Sequence, residues 1–227
     1  MSDSFSRSSP PLSEPAPVPL PPLYLITDAE RIGVERLLAA AGAAVSRGLR
    51  WIQVREPTWE PGSVRLLIER LRESVSRNTS ERCRIVVGRR PELALELGLD
   101  GVHVGGGSLA NVRAARDLLG PRALVGYSAH SLAEISAAAE AGADYVSFSP
   151  IFGAISKAHP LPPVGLEGLR AACAMADLPV YALGGVTAET AHELRKAGAA
   201  GAAMIGAILD SADPGSAVRD FLSGWTD

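Results

Sequence analysis

The sequence predicts a closed (β/α)8 barrel, the TIM-barrel class of α/β fold, built as a single domain. Three observations predict it. Eight short apolar runs alternate with longer stretches rich in Ala, Leu, Glu and Arg. Those stretches space their apolar residues three to four apart, the period of an amphipathic helix. A helix–glycine–strand junction recurs as RGLRWIQVR, LGLDGVHVG, AGADYVSFS and AGAAGAAMIG. Strands joined through helices pair in parallel, because a parallel return needs a crossover. Eight such units in about 200 residues fit closure into a barrel. A doubly wound open sheet is the alternative.

The apolar runs are 23–27, 50–55, 84–88, 101–105, 123–127, 144–149, 179–183 and 201–205. Between them, Leu37, Leu38, Ala41 and Val45 share one helical face, as do Val64, Leu67, Ile68 and Leu71, and later Ala191, Leu194 and Ala197. Gly48, Gly98, Gly142 and Gly198 each follow a helical stretch and precede a strand, the place where positive φ ends a helix. The last run, GAAMI, has little β-propensity, which is why the open sheet stays in view. Residues 1–22 are dominated by Ser and Pro and show no period. Such a segment buries too little to offset its ordering entropy, so a disordered tail is expected before a barrel spanning 23–225.

The chain has 227 residues, 47% of them hydrophobic, with a net charge of −3. That is enough apolar surface for one closed core. No basic excess exists to neutralise a nucleic-acid backbone, so nucleic acid is not an expected partner. Cys83 and Cys173 match no metal-ligand spacing and read as reduced thiols of a cytoplasmic protein. No run reaches the roughly 18 apolar residues of a membrane span, and the polar N-terminus lacks the apolar core of a secretory signal. A homo-oligomer is compatible with all of this.

In this fold the active site lies at the C-terminal ends of the strands. Strand period 2 puts Trp51, Gln53 and Arg55 on one face and the aliphatic Ile52 and Val54 on the other. The aliphatic face suits the helices, so Gln53 and Arg55 are expected to point inward, where they are costly unless they bind something. A structural network among barrel residues is the plain alternative. Gly184, Gly185 and Gly206 follow the seventh and eighth runs, the usual phosphate position in this fold. Glycine lets backbone N–H groups approach an anion closely, although each alone reads equally as a turn. His130 follows the fifth run, and imidazole can both take and give a proton near neutral pH. His103 is expected to pack within the barrel, and His192 to be exposed on a helix. Arg89 and Arg90 either bind a second anion or lie at the surface.

These positions resemble the thiamine phosphate synthase/TenI family over about 23–209. LYLITD at 23–28, QVRE at 53–56, ELALELGLDGVHVG at 92–105, GYSAHS at 126–131, ADYVSFSPIF at 143–152 and LPVYALGGV at 178–186 carry the resemblance. It implies a small phosphorylated thiazole ligand, with Ser128 and Lys157 joining Gln53, Arg55 and the glycines in binding it. The family contains an Mg²⁺-dependent synthase, joining hydroxymethylpyrimidine pyrophosphate to thiazole phosphate, and TenI-type thiazole tautomerases that need no metal.

Departures from the family pattern bear on that choice. Pro57 stands where the synthase pattern Q-x-R-E-K has Lys. Gly88 and Arg89 replace its N-D pair, and Ser108 replaces the Asp of H-L-G-Q-x-D. Ala154 and Ser156 replace two threonines, while Lys157 remains. Mg²⁺ prefers carboxylate oxygens, and both are gone. The expectation is therefore a metal-independent tautomerase with no cofactor, with His130 as general acid/base. An Mg²⁺-dependent thiamine phosphate synthase and a non-catalytic thiamine-phosphate-binding descendant are the alternatives.

Overall fold

A computed structural model describes residues 19–153 and 161–226. Eight parallel strands close into one barrel in sequence order: β1 Leu23–Ile26, β2 Trp51–Val54, β3 Arg84–Gly88, β4 Gly101–Val104, β5 Leu124–Ala129, β6 Tyr145–Phe148, β7 Val180–Leu183 and β8 Gly201–Met204. Closure is explicit in the pairing of β1 with β8, where Leu23 faces Ala202 and Leu25 faces Met204. The open sheet is thereby excluded. The small residues of β8 belong there because the barrel interior beside them is already filled. A Cβ on Gly201 would lie 2.5 Å from the Tyr181 ring.

The helices form the outer layer: α1 Ala29–Ile32, α2 Val34–Ser46, α3 Pro61–Asn78, α4 Pro91–Glu96, α5 Leu109–Leu119, α6 Leu132–Glu140, α7 Gly165–Met175, α8 Ala191–Lys196, α9 Gly206–Leu209 and α10 Pro214–Thr226. A short 3₁₀ turn, Ala188–Thr190, precedes α8. The faces expected to be apolar are buried: Leu37, Leu38, Ala41 and Val45 in α2, and Val64, Leu67, Ile68 and Leu71 in α3. Gly48, Gly98, Gly142 and Gly198 all have positive φ, as their place after helices requires.

Strand alternation sorts side chains into two cores. Ile52, Val54, Val87, Val102 and Val146 face the helices. Tyr24, Ile26, Trp51, Val86, Tyr145 and Tyr181 fill the barrel interior. Within it, Trp51 lies 4.6 Å from Tyr24 and 4.8 Å from Tyr145 between ring centroids, tilted and edge-on respectively. Such packed aromatics make the interior a solid floor rather than a pore. Only the C-terminal mouth above them is left for a ligand.

One boundary is corrected. The expected tail reached residue 22, but residues 19–22 belong to the barrel. Leu20 packs against the interior aromatics, Tyr181 Oη donates to the Pro21 carbonyl at 2.9 Å, and Ala202 N–H donates to the Pro22 carbonyl at 2.8 Å. Proline lacks a donor but keeps its acceptor, so a Pro-rich segment can still plug the lower rim of a barrel. Among the described residues, no helix is long and apolar enough to cross a membrane.

Candidate active site

The β2 strand delivers its inward face as expected. Gln53 is 2% exposed, and its Oε1 has no hydrogen-bond partner among the described residues. A buried, unpaired acceptor costs free energy unless a ligand satisfies it. Arg55, one step higher on the same face, is exposed at the mouth. Glu56 beside it is buried and organises the rim. It accepts from Thr27 Oγ1 at 2.7 Å and from the Ala29 and Glu30 amides at 2.8 and 3.2 Å. Thr27 Oγ1 in turn accepts from the Arg55 amide at 2.9 Å, which fixes the backbone from which Arg55 projects.

A buried polar chain links the adjacent strands β4, β5 and β6. His103 of β4, 4% exposed, places Nδ1 3.0 Å from Tyr145 Oη and Nε2 2.9 Å from Ser128 Oγ. Ser147 Oγ lies 3.4 Å from the same Nε2. His103 therefore packs inside, as expected, and holds the Ser128 hydroxyl. Burial, reinforced by the Arg55 and Arg89 charges, pushes its pKa down to about 3. The unfolded chain would bind a proton at His103 from about pH 6.5 downward, while the folded chain would not until about pH 3. Stability from this group is thus present above pH 6.5 and lost as pH falls toward 3. Its slope approaches about 1.4 kcal/mol per pH unit. Denaturant unfolding of wild type and His103→Gln between pH 7 and 4 checks this. The variant should lose that share of the slope, and parallel curves would refute the assignment.

His130 lies just past β5. Its Nδ1 is 2.8 Å from the Ser149 carbonyl oxygen, an acceptor only, so Nδ1 carries the proton of the neutral ring. Nε2 is left free. The ring approaches the β4–α5 loop closely: a Cβ on Gly106 would lie 3.5 Å from His130 Nε2 and 2.9 Å from the Ser128 carbonyl. Glu134 of α6 accepts from the His130 amide at 2.6 Å.

The far side of the mouth is built by the β7 and β8 loops. Gly184 and Gly185 have φ of 98° and 67°, and the β6 loop lies directly on them. A Cβ on Gly185 would be 2.8 Å from Phe152 Cβ. The amides of Gly184 and Gly185 meet no protein acceptor among the described residues. Gly206 opens α9, and a Cβ on it would be 2.9 Å from an Asp210 carboxylate oxygen, a group paired with Arg31 at 2.7 Å. Lys157, like Ala154, Ser156 and His159, lies outside the described residues. His192 is half-buried on α8 rather than exposed.

The undecided arginines separate. Arg90 donates to the Glu56 and Trp59 carbonyls and ties the β3 loop to the β2 loop. Arg89 has φ of 59° and is exposed at the mouth. Sequence reasoning could not divide them, because only the turn after β3 sets which one faces the ligand space.

The resemblance implies Mg²⁺ between the ends of β3 and β4, and the residues present do not fit it. A guanidinium and a hydroxyl, Arg89 and Ser108, stand at the two positions. The nearby carboxylates are engaged: Glu56 and Glu134 by amides, Asp28 and Asp210 by Arg31. No group of three or more His, Cys, Asp or Glu among the described residues could hold a metal ion.

Comparison with known proteins bears on the activity. Residues 23–208 match the family model described as thiamine monophosphate synthase. A putative thiamine-phosphate synthase of Geobacter sulfurreducens is 36% identical over 201 residues, covering 88% of this chain and 92% of its own. The thiamine-phosphate synthase of Anaeromyxobacter dehalogenans is 42% identical over 195 residues, covering 86% and 83%. The structure of a thiamine phosphate pyrophosphorylase from Pyrococcus furiosus superimposes with a TM-score of 0.76 at 26% identity, covering 90% and 95%. These relatives overturn the expected thiazole tautomerase. The flaw lay in one step: missing carboxylates exclude a way of neutralising charge, not the bond that is made.

Proposed function

We propose, from the premise that this chain belongs to the thiamine monophosphate synthase family, that it is a thiamine-phosphate synthase. In that reaction the ring nitrogen of a thiazole phosphate donates its lone pair to the methylene carbon of a hydroxymethylpyrimidine diphosphate. The C–N bond forms, the C–O bond breaks, and its electron pair leaves with diphosphate. Similarity to synthases along nearly the whole barrel carries the reading.

The mouth has parts suited to it. The Gly184 and Gly185 amides, with Gly206 after the adjacent strand, provide close backbone approach for the thiazole monophosphate. Gln53 Oε1 offers a buried acceptor to a ring amino group, and Ser128, held by His103, offers a hydroxyl. Arg55 supplies charge, and His130 Nε2 supplies a site for a proton. Lys157 retains the role the resemblance gives it.

Incubation of the purified protein with both substrates, followed by chromatography with mass detection, tests the reading. Thiamine phosphate and diphosphate should appear in equal amounts. No product in either Mg²⁺ or EDTA would rule it out.

A further inference from the structure

A diphosphate needs cationic partners, and the side chains at the ends of β3 and β4, Arg89 and Ser108, do not fit a metal ion. What stands there is Arg89. It is the one non-glycine residue with positive φ among those described, a conformation that costs a side-chain-bearing residue. The turn is pinned by its N–H, which donates to the His103 carbonyl at 3.0 Å. Its guanidinium lies across Gly105, whose hypothetical Cβ would sit 2.7 Å from Arg89 Cζ. Any side chain at 105 would displace it. Arg55 runs past the neighbouring Gly88, where a Cβ would be 3.5 Å from Arg55 Cγ. Gly105 thus leaves room for the Arg89 guanidinium, and the Arg55 stem runs in ordinary contact distance of Gly88 on the adjacent loop.

Neither guanidinium makes a hydrogen bond or ion pair among the described residues, in contrast to the neighbouring Arg90. Both charges act on His103 in the barrel interior, so they bear on the ligand space rather than on distant solvent. The His130 ring lies against Gly106, the next residue of the loop that Arg89 crosses.

We propose that Arg55 and Arg89 form a metal-independent clamp for the substrate's diphosphate, with Arg89 standing in charge where the family pattern places a carboxylate-held cation. The clamp rests on the synthase reading for the identity of its ligand. Guanidinium forks match phosphate oxygens bidentately. The rim carboxylates are engaged elsewhere, Glu56 and Glu134 by amides and Asp28 and Asp210 by Arg31, and none pairs with either guanidinium among the described residues.

Calorimetric titration with inorganic pyrophosphate tests the clamp on the full chain. Wild type should bind in EDTA, and excess Mg²⁺ should not tighten binding. Arg89→Gln should weaken it roughly tenfold to hundredfold, the range for a hydrogen-bonded charge. Arg113→Gln on the outer face of α5 should not change it. Arg89→Gly separates binding from folding. Glycine relieves the positive φ, so melting temperature should hold or rise while pyrophosphate affinity falls. The double variant Arg89→Asp with Ser108→Asp should make binding depend on Mg²⁺. Wild-type binding that requires Mg²⁺, or undiminished binding by Arg89→Gln, overturns the clamp. Binding in EDTA without thiamine phosphate formation supports the clamp and removes the synthase reading instead.

Discussion

His130→Asn should slow formation of thiamine phosphate by roughly 10²- to 10⁴-fold, the usual cost of removing a general acid. The bridging oxygen gains negative charge as the C–O bond breaks, and a proton donor there stabilises the leaving diphosphate. Two contacts set the orientation of the His130 ring. The Ser149 carbonyl takes Nδ1–H, which orients the ring. Nε2 then faces the β4–α5 loop, the loop that Arg89 crosses. Asn keeps a donor for Ser149 but cannot deliver a proton. The fold should persist, because among the described residues the His130 side chain adds only this hydrogen bond and a 3.3 Å contact with Ser149 Oγ. Circular dichroism and melting temperature should match wild type while single-turnover rates fall. A variant with unaltered turnover, or one that loses pyrophosphate binding as fully as Arg89→Gln, would show that His130 has another role.

Much of this arrangement was legible from periodicity. Period 2 in RWIQVR correctly sent Trp51 and Gln53 inward and Ile52 and Val54 toward the helices, whereas Arg55, also expected inward, is exposed. The glycines after helices marked four αβ junctions, and their φ values agree. What periodicity could not show depends on register between distant strands. His103 meets Tyr145 and Ser128 only because β4, β5 and β6 align as they do, with His103 opposite Gly126 and Gly126 opposite Tyr145. Arg89 was unreadable for a different reason. A non-glycine residue in the left-handed region runs against local preference, so only the folded turn shows it. Residues 19–22 misled because composition reports donors and apolar content, whereas their carbonyls are the groups the barrel uses. The tautomerase expectation failed on chemistry rather than pattern. It equated loss of Mg²⁺ ligands with loss of diphosphate handling, although arginine can neutralise the same charge.

Gly101→Ala should be the most damaging single methyl group in the barrel. Gly101 begins β4 and pairs with Val86 on one side and Leu124 on the other. A Cβ built on it overlaps the Leu124 backbone carbonyl and would lie 2.7 Å from Leu124 N. Side chains can rotate away from a clash, but a carbonyl inside a strand pair cannot. Relief would separate β4 from β5, and with them the seating of His103 on Ser128 and Tyr145. Overpacking usually costs about 1–3 kcal/mol, and a backbone collision belongs at or above the upper end. For a domain of this size that corresponds to a fall of roughly 6–12 °C in melting temperature. Gly62→Ala provides the opposite sign. Gly62 lies in the first turn of α3, is exposed, and has nothing within 4 Å of its Cβ position. Alanine there restricts the unfolded chain and should stabilise by about 0.4–1 kcal/mol. Paired thermal melts of the two variants decide the matter. If Gly101→Ala melts within 2 °C of wild type, within the spread expected of ordinary surface changes, then the tight pairing of β4 with β5 is not what fixes this side of the mouth.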